Sequence, residues 1–272
     1  MTEKQIPIKF GTDGWRAVIA EDFTFDNVRY CTHGVAAYLK EAGLAERGLV
    51  IGYDTRFGSE RFAAAAAEVV AAHGITVYLA PEPAPTPVVS YGVVAKQAGG
   101  GIVITASHNP GEYNGFKFKD ERGSSAPDDI TGRIVAHLEG AWRDGNVERL
   151  PLEEAKGLVV MTDLKPVYLE QINRLVDLER LRNAGLSVVI DPMYGAGTGY
   201  LADALRGGTT TVTEIHHERN PLFPGLHPEP IMPHLEGLAA AVSAQHAAVG
   251  LATDGDADRN GLVDEKGNFI TQ

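Results

Sequence analysis

A single cysteine, Cys31, stands in 272 residues. It excludes an internal disulfide and suits a reducing cytoplasm. Its neighbours, VRYCTHGVAAYL, carry apolar residues at helical spacing, so the thiol is expected on a buried face. No apolar run approaches the ~20 residues that cross a bilayer, and the opening MTEKQIPIKFGTDGW has no apolar signal core. Positive charge is scarce: 24 Lys and Arg face 36 Asp and Glu, a formal net charge of −12. That balance argues against nucleic acid and acidic membranes as partners. Internal repeats and low-complexity segments are also missing. What is present is ordinary globular composition, 44% hydrophobic and 22% charged, in a chain long enough for one large or two medium domains.

Helical and strand patterns alternate, which makes the chain α/β. The spacing predicts a helix over 28–42 closed by Gly43, a buried strand over 48–54, and an Ala-rich helix over 59–72. A strand ITVYLA follows. PEPAPTP (81–87) is expected to be a loop, because proline removes ladder and helix donors. GIVIT, opened by glycines 99–101, is the next strand. A second alternation runs from a helix over 165–184 through a strand at 186–191, a helix at 199–206 and the strand TVTEIH. A Pro-rich stretch at 220–233, a helix at 235–245 and the strand AAVGLAT complete it, before a hairpin, GLVDEKGNFI. The polar segment DGNVERLPLEEAKG marks a domain boundary near 151–157.

Chemistry concentrates in two distant segments. TASHNPGEYNGFKF, at 105–118, offers one hydroxyl, Ser107, at the end of an apolar strand, with His108 beside it and Lys117 further on. Asn109-Pro110-Gly111 and Asn114-Gly115 read as two turns that hold this loop on the surface. TDGDADRNG, at 253–261, offers Asp254, Asp256 and Asp258 at alternate positions after another strand, then Arg259. In a curved loop that spacing turns three hard oxygen donors toward one point, which suits Mg²⁺. A nucleophilic hydroxyl, a cation cluster and local positive charge are the needs of phosphoryl transfer. An acidic protein must gather its cations for that purpose, and Arg16, Lys117, Lys119 and Arg259 are the candidates. The bland alternatives are a Ser-containing surface turn and a solvated acidic turn.

Other patterns compete. D-x-D-x-D also opens a Ca²⁺ helix-loop-helix site, with Glu265 at the twelfth position, but Arg259 occupies the place where the turn needs glycine. D-x-D after a strand also suits a phosphatase whose nucleophile is Asp254, a reading that leaves the Ser107 loop unexplained. A non-catalytic phosphate- or metal-binding module is the third possibility. GAGTG (195–199), with Glu214 downstream, fails the dinucleotide pattern at Tyr200 and reads as a tight strand-to-helix turn. His216, His217 and His227 show no metal-ligand spacing and read as surface or core residues.

FGTDGWRA, TASHNPGEYNGFK and DGDADR, in this order and spacing, resemble the α-D-phosphohexomutases. DPMYGAG and NPLFPGLHPEPI are similar to that family's second domain. The resemblance implies two consecutive three-layer α/β/α domains with mixed sheets: residues 1–150 with the phosphoserine loop and 157–272 with the Mg²⁺ loop. It implies that Ser107 is the phosphoserine, with Mg²⁺ held by Asp254, Asp256, Asp258 and the Ser107 phosphate. Arg16 and Arg259 would lie near the phosphoryl group, and His108 and Lys117 would assist proton transfer and charge stabilisation. Asn109 and Thr12 would add contacts to substrate or phosphate. Hexose phosphates would be the substrates, and a hexose 1,6-bisphosphate the intermediate and activator. The opening FGTDGWRAVIAEDFT looks more like the phosphoglucomutase and phosphomannomutase branches than the phosphoglucosamine branch. The family has four domains, so a chain of two is expected to be an N-terminal fragment with negligible mutase turnover of its own.

Overall fold

The computed structural model describes residues 6–11 and 14–270. The first unit runs β1 (Trp15–Val18), α1 (Phe25–Glu41), β2 (Leu49–Tyr53), α2 (Ser59–Ala72), β3 (Val77–Leu79), α3 (Thr86–Lys96), β4 (Gly101–Ile104), β5 (Tyr113–Lys119), α4 (Asp128–Asp144) and β6 (Val159–Met161). Its sheet has the order β1-β5-β4-β2-β3-β6. β2 is parallel to β3 and β4, and β3 to β6, while β5 is antiparallel to both β4 and β1. The second unit runs α5 (Lys165–Leu175), α6 (Leu178–Arg182), β7 (Ser187–Asp191), α7 (Tyr200–Leu205), β8 (Thr211–Glu214), α8 (Glu236–Ala244), β9 (Val249–Thr253), β10 (Asn260–Asp264) and β11 (Phe269–Ile270). Its sheet has the order β11-β10-β9-β7-β8, parallel across β9-β7-β8 and antiparallel across β9-β10-β11. Both units are therefore α/β/α sandwiches on mixed sheets.

Both faces of each sheet are covered, which explains the unbroken apolar strands. In β2, Leu49 and Ile51 join the core formed with α1, α2 and α4, while Val50 between them joins α3 on the opposite face. In β7, Val189 packs with α8, while Val188 and Ile190 pack with α7. A period-two strand thus feeds two cores at once. Thr24 caps α1 by accepting from the Asn27 amide, and Cys31 is fully buried in that helix, where burial pushes its thiol pKa up.

Four local expectations change. Helix α3 begins inside the expected 81–87 loop: Pro87 sits in its first turn, where a missing amide costs nothing. The helix over 165–184 is broken, because Val176 is extended between α5 and α6. Asn114-Gly115 is not a turn but lies inside β5, and Asn114 is buried and donates to Ser59 Oγ at 2.8 Å. Gly115 is needed there for close approach, since a Cβ would lie 2.3 Å from Thr105 O. Lastly, the chain leaves the first sheet only after Met161, because Val159–Met161 pairs with β3 inside the span 157–272 expected for the second domain.

Candidate active site at the seam of two sheets

Ligands of open α/β sheets collect beyond the carboxyl ends of the strands. Here those ends from both sheets meet. β4 delivers the loop 105–112, β2 delivers Asp54 to Arg56, β9 delivers 254–259, and β7 delivers 192–199. Cross-contacts lock the seam. Thr55 Oγ1 donates to Tyr194 O at 2.7 Å, and the Thr86 amide donates to Asp256 O at 2.8 Å. Gly255 lies so close to the serine loop that a Cβ would sit 2.5 Å from Ser107 O.

The two segments that stood almost a chain length apart are in contact. Ser107 Oγ donates to Asp254 Oδ2 at 2.9 Å. Lys117 Nζ donates to Asp256 Oδ2 at 2.9 Å and to Asp258 Oδ2 at 3.1 Å. Arg16 Nη1 donates to Asn109 Oδ1 at 2.8 Å. The amides of Asp258 and Arg259 donate to Asp254 Oδ1 at 3.0 and 3.1 Å. His108 is half-buried, and its Nδ1 is buried without a hydrogen-bond partner. Thus Ser107, His108, Lys117, Arg16, Asn109, Arg259, Asp254, Asp256 and Asp258 share one locality. Thr12 lies outside the described residues. Lys119 instead donates to Ser125 Oγ at 3.0 Å, in the turn after β5.

The serine loop is not a surface turn. Ser107 is fully buried and adopts φ 54°, a left-handed conformation that a non-glycine residue holds only under constraint. Sequence reasoning missed the source of that constraint, Arg56. Its guanidinium is buried and donates to Ser107 O (2.7 Å), Asn109 O (2.6 Å), Pro110 O (2.7 Å) and Tyr113 O (3.1 Å). It also pairs with Asp54 Oδ2 at 3.0 Å and lies over the Phe223 ring. Asp54 in turn accepts from Ser59 and Thr105 hydroxyls. Burial raises the Asp54 pKa and lowers that of Arg56, against the mutual attraction of the pair. The available signal was D-x-R directly after an apolar strand, where a charged pair must be either solvated or functional.

Electrostatics mark the acidic loop as unsatisfied. Asp254 is pushed up to about 8 by burial, with the Asp256 and Asp258 carboxylates adding to the shift. Burial also works against an ionised Asp256, but the Lys117 ammonium and the Thr86 hydroxyl, 2.6 Å away, outweigh it and hold its pKa low. Asp256 Oδ1 is buried with no hydrogen-bond partner. The three aspartates can place one ligand oxygen each within 4.8 Å of the others. An orphaned buried oxygen in a cluster of excess negative charge fits a hard divalent cation. Burial lowers the His108 pKa, and the nearby Arg259 lowers it further.

A second group of ligand atoms corrects the reading of His227 as partnerless. The turn-rich 227–234 loop brings His227, Glu229 and His234 within the same 4.8 Å limit. Spacing alone hid this because His234 follows His227 by seven residues across three prolines. The glycine-rich turn behaves as expected, with the Gly199 amide donating to Glu214 Oε1 at 2.9 Å before α7.

Comparison with known proteins agrees with this geometry. Residues 7–142 match the family description "Phosphoglucomutase/phosphomannomutase, alpha/beta/alpha domain I", and residues 166–267 match domain II of the same family. A probable phosphoglucosamine mutase of Methanosphaera stadtmanae is 33% identical over 98% of this chain and 57% of its own length. A phosphoglucomutase/phosphomannomutase of Thermococcus kodakarensis is also 33% identical, over 96% of this chain and 56% of its own. The crystal structure of a putative phosphomannomutase from Thermus thermophilus superposes with a TM-score of 0.86 at 37% identity, covering 97% of this chain and 58% of that one. The chain therefore spans a little over half the length of these relatives. Relatives of equal identity carry either glucosamine or glucose and mannose in their names. Two adjoining α/β/α units, each matched by its own family description, place this chain in the phosphoglucomutase/phosphomannomutase family.

Proposed function

We propose that this chain carries the phosphoryl-accepting and metal-binding half of a phosphohexomutase site. Such a site interconverts hexose 1-phosphate and hexose 6-phosphate, with glucose or mannose as the sugar. The reaction passes through a phosphoserine enzyme and a hexose 1,6-bisphosphate. The observation that carries the reading is the 2.9 Å contact from Ser107 Oγ to Asp254 Oδ2 across the seam.

Each group has a role that follows from its position. Ser107 is the nucleophile, and its proton already points at Asp254, which is placed to receive it as the oxygen–phosphorus bond forms. Lys117 neutralises Asp256 and Asp258 from one side. Arg16, fixed through Asn109, and Arg259, anchored through its amide on Asp254, stand ready to meet phosphoryl oxygens. His108, beside the nucleophile, is placed to shuttle a proton to or from the sugar hydroxyl. Asp254, Asp256, Asp258 and Ser107 would hold Mg²⁺, which supplies electrostatic stabilisation of the transferring group.

The aspartyl-nucleophile alternative leaves the Ser107 loop, buried and clamped by Arg56, without a role. Among the described residues no helix is long and apolar enough to cross a membrane, and the buried lone thiol fits a cytoplasmic setting. The test is phosphopeptide mapping before and after glucose 1,6-bisphosphate with Mg²⁺. Phosphate on Ser107 is the expected result. Phosphate on Asp254 would establish the aspartyl reading, and no covalent phosphate would leave a binding module. This single transfer is the right test for a polypeptide of these 272 residues, from which full mutase turnover is expected to be negligible.

A further inference from the structure

The segment after Leu226 alternates donors with stiff residues: His227, Pro228, Glu229, Pro230, Ile231, Met232, Pro233, His234. The backbone is curled by two successive short bonds, from the Glu229 amide to His227 O at 2.7 Å and from the Ile231 amide to Glu229 O at 2.8 Å. Proline fixes φ at the positions between donors, so little conformational entropy remains to be lost there. The result is a gathered set of two imidazoles and one carboxylate. His227 Nε2 stands 3.8 Å from Glu229 Oε2. The His227 and His234 rings lie 4.9 Å apart at an interplanar angle of 31°.

Among the described residues, no side-chain hydrogen bond reaches any of the three groups, and 3.8 Å is too long for one between His227 and Glu229. All three side chains are half-exposed, so an ion and water can reach them. The donor set also differs in kind from the three aspartates. Carboxylate oxygens suit a hard cation, whereas two imidazoles with one carboxylate are the protein ligands of an open tetrahedral Zn²⁺ site. With Zn–N and Zn–O near 2.0–2.1 Å, tetrahedral ligand atoms lie about 3.3 Å apart. Closing from within 4.8 Å needs side-chain rotation on the order of 1 Å per group, which leaves the proline backbone in place.

We propose that His227, Glu229 and His234 form a Zn²⁺-class transition-metal site, separate from the aspartate cluster and adjoining the phosphoryl-transfer groups. Its position gives it consequences. The His227 ring lies 6.4 Å from that of His108. Glu229 lines one cavity of about 420 Å³ together with Asp258 and Arg259. An ion here fixes His227 beside the serine loop and draws Glu229 onto the metal beside the Arg259 guanidinium.

The experiment is a Zn²⁺ titration by calorimetry in a large excess of Mg²⁺, repeated with Co²⁺ to read the visible absorption of a four-coordinate site. It uses no substrate and so does not depend on the mutase reading. One equivalent is expected to bind in the presence of Mg²⁺. His234→Ala should abolish it, and Glu229→Gln, which keeps the side-chain shape, should weaken it about tenfold or more. Asp256→Asn should leave it unchanged. No binding to the wild-type chain, binding indifferent to both His234→Ala and Glu229→Gln, or binding lost in Asp256→Asn would each overturn the proposal.

Discussion

Arg56→Lys tests whether the serine loop is shaped by one buried guanidinium. Arg56 donates to four loop carbonyls and one carboxylate oxygen. Lysine keeps the charge but has three donors on one nitrogen and no planar fork. If the ammonium stays on Asp54 and reaches two carbonyls, two more lose the guanidinium, although Pro110 O keeps the Tyr113 amide as a second donor. One or two carbonyls are then left unpaired at about 1–3 kcal/mol each, so the loop should lose about 1–6 kcal/mol, a large share of a domain's ordinary 5–15. Alanine would be uninformative, since stranding Asp54 without its partner adds about 3–5 kcal/mol and threatens the fold itself. The assay is native-state amide hydrogen exchange over residues 105–113. The amides of Ser107, Asn109 and Tyr113 are hydrogen-bonded within that loop and report its opening. A loss of 3 kcal/mol corresponds to roughly a hundredfold faster exchange, and Mg²⁺ affinity should fall with it. Unchanged exchange and unchanged Mg²⁺ binding in Arg56→Lys would show that the loop holds its shape without the guanidinium.

Three further outcomes follow from single contacts. Thr86→Val removes the hydroxyl that donates to Asp256 Oδ2 at 2.6 Å; it should weaken Mg²⁺ binding by about 10–100-fold in calorimetry while leaving circular dichroism unchanged. Gly255→Ala puts a Cβ 2.5 Å from Ser107 O; the seam must open, so the chain should stay folded yet lose phosphorylation of Ser107 by glucose 1,6-bisphosphate. His73, half-buried against His33 at 3.2 Å, is lowered from the ordinary 6.5 to about 4, chiefly by burial. Between those values the unfolded chain binds a proton that the folded chain refuses, so stability is full above 6.5 and declines as pH falls toward 4; urea unfolding of His73→Gln should lack about 1 kcal/mol of that decline, a figure already reduced for partial exposure.

Legibility in the sequence followed the physics of each element. Ser59–Ala72 was readable to the residue because its alanines favour helix and its end carries His73-Gly74. Strands β2, β4 and β7 were readable because apolar runs buried on both faces leave few alternatives, whereas β5 was hidden by the turn signature of Asn114-Gly115. Helix α3 was not, since apolar residues such as Val94 lie on its exposed face as well as its buried one and a proline stands in its first turn, so neither amphipathic period nor breaker rules applied. β1 and β6 were silent because their order comes from pairing with β5 and β3 rather than from their own residues. The reactive side chains that meet at the seam were visible. The residues that shape them, Asp54, Arg56, Thr86 and Gly255, were not, because their meaning lies in partners 50 or more positions away.

The charge of this chain makes the same point about the site. With a net charge of −12, attraction of an anionic substrate cannot come from the protein as a whole, and at physiological salt it is screened beyond about 8 Å. The cations must therefore act at contact range, and their placement divides the work. Arg56 is spent on backbone carbonyls, which fixes where Ser107 stands. Lys117 is spent on two aspartates, which lowers the cost of holding three carboxylates together. Arg16 and Arg259 retain exposed surface beside the serine, which under the proposed function lets them meet an arriving phosphate. Loss of Arg259, in Arg259→Ala, should thus weaken phosphate binding without moving the loop, whereas loss of the Arg56 fork should move the loop first; hydrogen exchange over residues 105–113 separates the two, and equal acceleration in both variants would refute this division of roles.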